Sequence, residues 1–494
     1  MVRPKLLILL VLLVCVAGLI FSMNGCGASS GKLTTPPPPG KIEHVVILFQ
    51  ENRTPDNLFQ DQALIAKGAD IASSGVNSKG TTIQLTPIDL GTTGSNPQNY
   101  DLSHSHASFL GMYDSGKMDG ADKIGCSPAI NCPPNAHPNP QFTYVLPSDV
   151  QPYFALAEQY TFGDRMFQTN QGPSMPAHQY IISGTSWTGS GTAGNFFEAE
   201  NPELTLGGVN ASGDNAGCTS PATETVLMID VTNPDPASNE TTKLYPCFDH
   251  ATIIDLLDAQ KLSWKYYSNV KVCGVPGPCP SGIWIGPNAI QHLCQPNVAP
   301  PNGTVCTGPD WVNNVLPGPQ VLTDIANGQL PTVSWVIPDG KESDHPVGNT
   351  GEGPSWVASI VNAIGQSQYW NNTAIIITWD DWGGFFDHVA PPVSGTNSYE
   401  MGFRVPLIVV SPYAKAGYIS HVQHDFGSIL KFIESTFGLS TIGPNAGFAD
   451  SRSDDLSDCF DFTQTPLTFT HIQSKYDAAH FLNDKRPAVD PDDD

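Results

Sequence analysis

Short apolar runs recur along this chain, and several end abruptly in acids, amides or histidine. Residues 44–49 read HVVILF and run into Gln50, Glu51, Asn52 and Arg53. Residues 332–337 end at Pro338 and Asp339, residues 374–379 at Asp380 and Asp381, and residues 405–410 at Ser411. Runs that are apolar throughout, rather than at alternate positions, predict strands buried on both faces. Between them, segments with helical spacing predict helices over 151–159, 253–260, 356–367 and 424–437, and 264–267 reads as a further strand. Strands alternating with helices predict an α/β fold with a mainly parallel central sheet flanked by helices.

The pattern lapses over residues 60–99, 195–242 and 272–319, which are rich in Gly, Pro, Thr, Asn or Cys and read as long loop insertions. At the start, Arg3 and Lys5 precede an apolar run over 6–21, so residues 1–25 read as a signal peptide or signal anchor. Cys26 follows Gly25 in a loose lipoprotein-type cleavage site, to which Met23 and Asn24 conform poorly. Lipidation at Cys26 and plain secretion both stay open. Residues 26–40 are a Pro-rich linker, 41–466 the main domain and 467–494 a C-terminal extension with an acidic tail. The expected location is therefore the cell envelope, the periplasm or the exterior, with possible membrane attachment through the N-terminus.

Cysteine usage agrees with export. Of the 11 cysteines, Cys126 and Cys132, Cys273 and Cys279, and Cys294 and Cys306 are close in sequence, and Cys218 and Cys247 flank a longer loop. Disulfides are the expectation, with the pairing open and Cys459 without an obvious partner. The net charge of −25 argues against nucleic acid and against a basic membrane-binding face. It leaves room for a phosphorylated substrate, because a bound cation can reverse the sign of a site.

In an open α/β sheet, ligands gather beyond the carboxyl ends of the strands. Glu51, Asn52 and Asp380 would offer a divalent cation hard oxygen ligands there. Histidines nearby could bind metal, hold an anion or protonate a leaving group. Ser174, after Gly172 and Pro173 and before a predicted helix, is a candidate nucleophile; by position alone the helix N-cap is the favoured reading.

Six motifs, in order, then resemble one family. They are HVVILFQENRTPDNLF (44–59), DLSHSH with GKMDG (101–120), QGPSMPAHQYIISGT (171–185), IPDGKESDHP (337–346), TWDDWGGFFDHVAPP (378–392) and GFRVPLIVVSPYAKAGYISH (402–421). The chain resembles the bacterial phosphoesterase family that joins acid phosphatases with non-haemolytic-type phospholipases C, and whose core is similar to alkaline phosphatase. The resemblance implies one divalent metal ion, of unstated identity, on Glu51, Asn52, Ser174 and Asp380. It implies Ser174 as nucleophile, Asp381 as the acidic neighbour, and His104 and His345 as phosphate-side histidines. His388 reads as structural, and His178 and Arg53 as bystanders. The implied substrate is a phosphorylated small molecule or a phospholipid.

Phospholipase-type members usually carry Thr at the Ser174 position, Asp-Glu at Asp380-Asp381, Ser-Phe-Asp at Thr54-Pro55-Asp56 and Asn-Arg at Ala177-His178. Ser174 and the Asp-Asp pair lean toward the phosphatase branch, with phospholipase C as the alternative. A non-catalytic, calcium-stabilised binding protein is the reading from another class. A glycosidase using Asp380 and Asp381 is disfavoured, because neighbours on a strand point to opposite faces.

Overall fold

A computed structural model describes residues 36–91, 100–127, 132–188, 195–202, 216–233, 235, 238–272, 278–279, 282–347, 349–393, 399–443, 448–487 and 489. The expected signal segment, Cys26, Cys273 and the terminal acidic run lie outside the described residues. Among the described residues, no helix is long and apolar enough to cross a membrane.

An eight-stranded sheet forms the centre. Its strands, in chain order, are β1 (His44–Gln50), β2 (Thr161–Gly163), β3 (Trp264–Ser268), β4 (Val315–Pro317), β5 (Val333–Val336), β6 (Thr373–Trp379), β7 (Leu407–Val410) and β8 (Tyr418–Ser420). The spatial order is β4-β3-β5-β1-β6-β7-β2-β8. β1 lies in the middle, parallel to β5 and β6, with Gln50 opposite Trp379. All seven residues of β6 are buried, as are the last six of β1, which is why their sequences show no alternation. The α/β fold with a mainly parallel sheet is thus the one the pattern predicts.

β7 is the exception. It pairs antiparallel with both β6 and β2. Ser411 therefore does not join Glu51 and Asp380 at one sheet edge. It sits at the opposite edge, where its hydroxyl donates to the Thr373 carbonyl at the start of β6. An apolar run carries no record of strand direction, so the expectation failed at that point.

Five longer helices flank the sheet: α1 (His106–Tyr113), α2 (Gln151–Gln159), α3 (Ser174–Ser183), α4 (Gly353–Gly365) and α5 (Phe426–Phe437). α4 starts three residues before the predicted position because Pro354 fits the first turn. α5 starts two residues later than predicted, because Asp425 and Ser428 form a capping box. The expected loop insertions contain order of their own. Residues 74–88 hold three short strands, and Phe196–Glu198, Val226–Asp230 and Thr242–Leu244 form a three-stranded antiparallel sheet. Disulfides Cys218–Cys247 and Cys294–Cys306 staple the later two of these regions, Cys126 pairs with Cys132, and Cys459 is a buried free thiol. The C-terminal segment packs on α4 through Phe481, whose ring meets Trp356 edge-on at 5.1 Å.

A buried ionic network ties the segment after β6 to the rest. Arg404 is fully buried and donates to Asp387 at 2.9 Å, to Asp56 at 3.2 Å, and to the Asp70 and Asp164 carbonyls at 2.8 and 2.9 Å. His388 bridges Asp56 at 2.7 Å and Asp70 at 2.9 Å. Asp56, Asp387 and His388 cluster as metal ligands would, but the guanidinium already supplies the cation. Removing one partner of such a set strands the others. Arg404→Leu should therefore cost about 3–5 kcal/mol of stability, read as a lower urea midpoint. Burial pulls the His388 pKa down, but its bond to Asp56 and the charges of Asp56 and Asp387 lift it to about 9, against a repulsive Arg404. The charged imidazole thus stabilises the fold fully below about pH 6.5, and the contribution disappears as pH rises through about 9. His388→Gln should flatten the fall in urea midpoint between those pH values; an equal fall in both proteins would contradict this assignment.

Candidate active site

Three stretches of chain build the site, and each is aimed by local backbone chemistry. The first is the exit from β1. Asn52 takes a left-handed conformation (φ 60°), which Asn tolerates better than most residues, so Glu51 and Asn52 turn beneath the sheet edge. Gln50 and Arg53 anchor this turn to the loop after β5: Gln50 accepts from the Asp344 amide at 3.1 Å, and Arg53 Nε donates to the Asp344 carbonyl at 2.8 Å. Arg53 is thereby a clamp for the segment that carries His345.

The second stretch follows β6. Strand geometry stops at Trp379, so Asp380 and Asp381 escape the alternation expected of neighbours in a strand. Both carboxylates turn into one cluster. Asp380 Oδ1 accepts from the amides of Asn52 at 2.9 Å and Asp381 at 2.7 Å. Asp381 Oδ1 accepts from the Gly383 amide at 2.7 Å. Gly383 is required here: it has φ +59°, and a Cβ would lie 2.5 Å from the Asn52 carbonyl oxygen.

The third stretch is the start of α3. Ser174 is its first residue and does not cap it; its hydroxyl donates instead to Asp381 Oδ2 at 3.1 Å. The N-cap expectation fails because Pro173 holds the cap position, and of the amides a cap at Ser174 would reach, Pro176 has no N–H and Ala177 donates to the Pro173 carbonyl; Asn201 Oδ1 takes the Met175 amide at 2.9 Å. One turn along the same helix face, His178 reaches the cluster from the side. Its Nε2 lies 3.4 Å from Glu51 Oε1 and 4.0 Å from Asp380 Oδ2. The bystander's place expected for His178 is therefore not where the fold puts it. The signal in the sequence was the four-residue spacing from Ser174 at a helix start.

The two predicted histidines are also present. His104 Nδ1 donates to the Leu102 carbonyl at 2.8 Å, leaving Nε2 to accept from Asn52 Nδ2 at 3.2 Å and to lie 3.7 Å from Asp381 Oδ2. His345 Nδ1 accepts from the Val347 amide at 3.3 Å, so its proton is on Nε2. The two rings are 6.4 Å apart, edge to face, and Trp284 packs between His345 (5.8 Å) and His178 (6.4 Å, stacked). The structure thus gathers Glu51, Asn52, His104, Ser174, Asp380, Asp381 and His345, as the motifs predict, and adds His178. His388 belongs to the Arg404 network instead.

The electrostatics of this cluster are unbalanced. Glu51, Asn52, His178 and Asp380 are each fully buried. Glu51 Oε1 and Oε2, Asn52 Oδ1, Asp380 Oδ2 and His178 Nε2 have no hydrogen-bond partner among the described residues. Burial first, and then the Asp380 charge, push the Glu51 pKa well above the carboxylate range. Burial also opposes charge on Asp380, but Glu51, His178 and Ser174 hold its pKa low. Burial drops the His178 pKa to about 4, so its ring is neutral. Buried lone pairs converging without donors are costly, and a divalent cation is the group that fits them.

Comparisons with known proteins agree with this chemistry. Residues 42–440 match the model of the phosphoesterase family. The non-haemolytic phospholipase C of Burkholderia pseudomallei is 24% identical over 85% of this chain and 59% of its own length. Phospholipase C B of Mycobacterium tuberculosis is 25% identical over 90% of this chain and 81% of its own. The chain thus spans under two thirds of the first relative and most of the second. Among solved structures, a protein in the alkaline phosphatase superfamily from Vibrio parahaemolyticus is similar at a TM-score of 0.35 and 12% identity, over 88% of this chain and 75% of that one. With the family model matched over most of its length and the site motifs brought together, the chain belongs to the phosphoesterase family.

Proposed function

We propose that this chain is an exported hydrolase of phosphoric esters that works through Ser174 and a phosphoserine intermediate. The observation that carries the reading is the Ser174 hydroxyl, at the N-terminus of α3, donating to Asp381 Oδ2 rather than capping its helix. A hydroxyl at a helix start lies where backbone amides favour the anionic oxygens of a phosphoryl group. Asp381 accepts the hydroxyl proton as Ser174 Oγ bonds to phosphorus and the ester oxygen departs with its electron pair. The Nε2 proton of His345 would stabilise the phosphoryl oxygens or the departing oxygen, a role supported by its Nδ1 accepting from Val347, and His104 bonds Asn52 and faces Asp381. Water then attacks the phosphoserine: one of its protons stays on the released phosphate, the other passes through solvent to the departed ester oxygen, and Ser174 recovers its proton from Asp381.

Glu51, Asn52, Asp380 and Ser174 would hold one divalent cation, which when bound supplies positive charge opposite the phosphoryl oxygens and lowers the pKa of the serine hydroxyl. Most of the rate enhancement then comes from positioning and charge, as in phosphoryl transfer generally.

Two substrate readings remain, each with its own support. Ser174 and the Asp380-Asp381 pair favour a soluble phosphate monoester. The relatives named phospholipase C favour the head-group ester of a phospholipid. Phosphate release from an aryl monoester, compared with phosphocholine release from phosphatidylcholine micelles, separates them. A monoester specificity constant at least about tenfold above the lipid one is the expected result.

Ser174→Ala should lower turnover by on the order of 10³-fold or more while the melting temperature moves little. Full activity in that variant, with the fold intact, would remove the nucleophile assignment. Asp381→Asn keeps the hydrogen bond but removes the base, and should lower kcat by about 10²–10⁴-fold with a smaller change in KM. A change confined to KM would instead give Asp381 a substrate-binding role.

A further inference from the structure

We propose that His178 Nε2 is a ligand of the cation, so that the site is of mixed nitrogen and oxygen character and prefers iron, cobalt or zinc to magnesium or calcium. This inference rests on the metal-assisted reading above and adds to it the class of metal.

The argument begins with where the protons can be. The Tyr266 hydroxyl has one hydrogen. Its best acceptor is the Trp284 carbonyl, 3.1 Å away, which can only accept. The Gly286 amide donates to the same hydroxyl oxygen at 3.3 Å. His178 Nδ1, 3.4 Å from that oxygen, must then be the donor in its contact with Tyr266. A neutral imidazole with its proton on Nδ1 presents a bare lone pair at Nε2.

That lone pair faces the two carboxylates. Nε2 is 3.4 Å from Glu51 Oε1 without the alignment of a hydrogen bond, and 4.0 Å from Asp380 Oδ2. One ligand atom from each of the three residues lies within 4.8 Å of the other two. An ion about 2.0–2.2 Å from each ligand places those ligands roughly 3–4 Å apart, so the spacing suits a common cation. The ring is also held in place, stacked on Trp284 at 6.4 Å and edge-on to Phe49 at 5.0 Å. Its partner at Nδ1 is the kind of outer contact that orients a ligating histidine. Imidazole shifts preference toward later transition metals and away from magnesium and calcium, which take oxygen.

The test uses the purified protein, stripped of metal and reloaded with one equivalent of Mn(II). Pulsed EPR should show a directly bonded ¹⁴N coupling that becomes a ¹⁵N coupling when the histidines are ¹⁵N-labelled. The signal should vanish in His178→Gln and persist in His345→Gln. Competition between Zn(II) and Mg(II), followed by melting temperature, should show the preference for zinc falling at least about tenfold in His178→Gln. Stoichiometric Mn(II) without nitrogen coupling in the wild type, or coupling that survives His178→Gln, would overturn the inference and leave the oxygen-ligated site standing. Failure of every cation to bind the wild type would overturn the metal-assisted reading and this inference with it. If His178→Gln does not fold, the labelled wild type alone shows whether a histidine nitrogen is bonded.

Discussion

The centre of this molecule depends on one constraint: the carboxylates of Glu51 and Asp380 are fully buried within 4.8 Å of each other. Burial makes two adjacent carboxylates intolerable as a charged pair. Protein groups neutralise only part of the set. Two backbone amides satisfy Asp380 Oδ1, yet among the described residues Asp380 Oδ2 and both Glu51 oxygens have no donor. Arg404 shows how the same fold behaves when it means to balance acids by itself, since it occupies the middle of Asp56 and Asp387 with a fixed guanidinium. The contrast between the two clusters is the strongest physical reason to assign a cation to one and none to the other.

The scaffold around that constraint is economical. β1 and β6 are parallel neighbours, so their carboxyl ends deliver Glu51, Asn52, Asp380 and Asp381 to one place. Ser174 reaches the same place from a helix start, and Asp381 joins it to the carboxylates. Gln50 and Arg53 fasten the His345 loop to the β1 exit, so the histidine and the metal-side acids are positioned by the same turn. Several of these contacts are backbone amides or carbonyls, which cost no side-chain entropy to hold in place.

Much of this was legible in the sequence. The unbroken apolar runs of β1 and β6 forecast buried parallel strands, and the acids at their ends forecast where the chemistry would lie. The motifs located Glu51, Asn52, His104, Ser174, His345, Asp380 and Asp381. What was not legible has identifiable causes. Ser411 ends an apolar run as Glu51 and Asp380 do, but such a run does not state its direction, and β7 runs the other way. Asp380 and Asp381 both turn into the cluster because the strand ends at Trp379, before either of them, so strand alternation does not apply. Ser174 does not cap α3 because the helix starts one residue earlier, with Pro173 at the cap position, so the serine is already its first residue. His178 read as a bystander because its contacts with Tyr266 and Glu51 join residues far from it in sequence. Contacts of that kind exist only after folding.

The central claim is that the buried acids hold a cation, and equilibrium dialysis tests it most directly. Chelator-treated wild type, and a Glu51→Gln/Asp380→Asn double variant checked for folding by circular dichroism, would be dialysed against a divalent transition metal and the bound ion counted. The account predicts one tightly held ion per wild-type chain and none in the variant. An equal count in the two proteins, or no bound ion in the wild type, would contradict it.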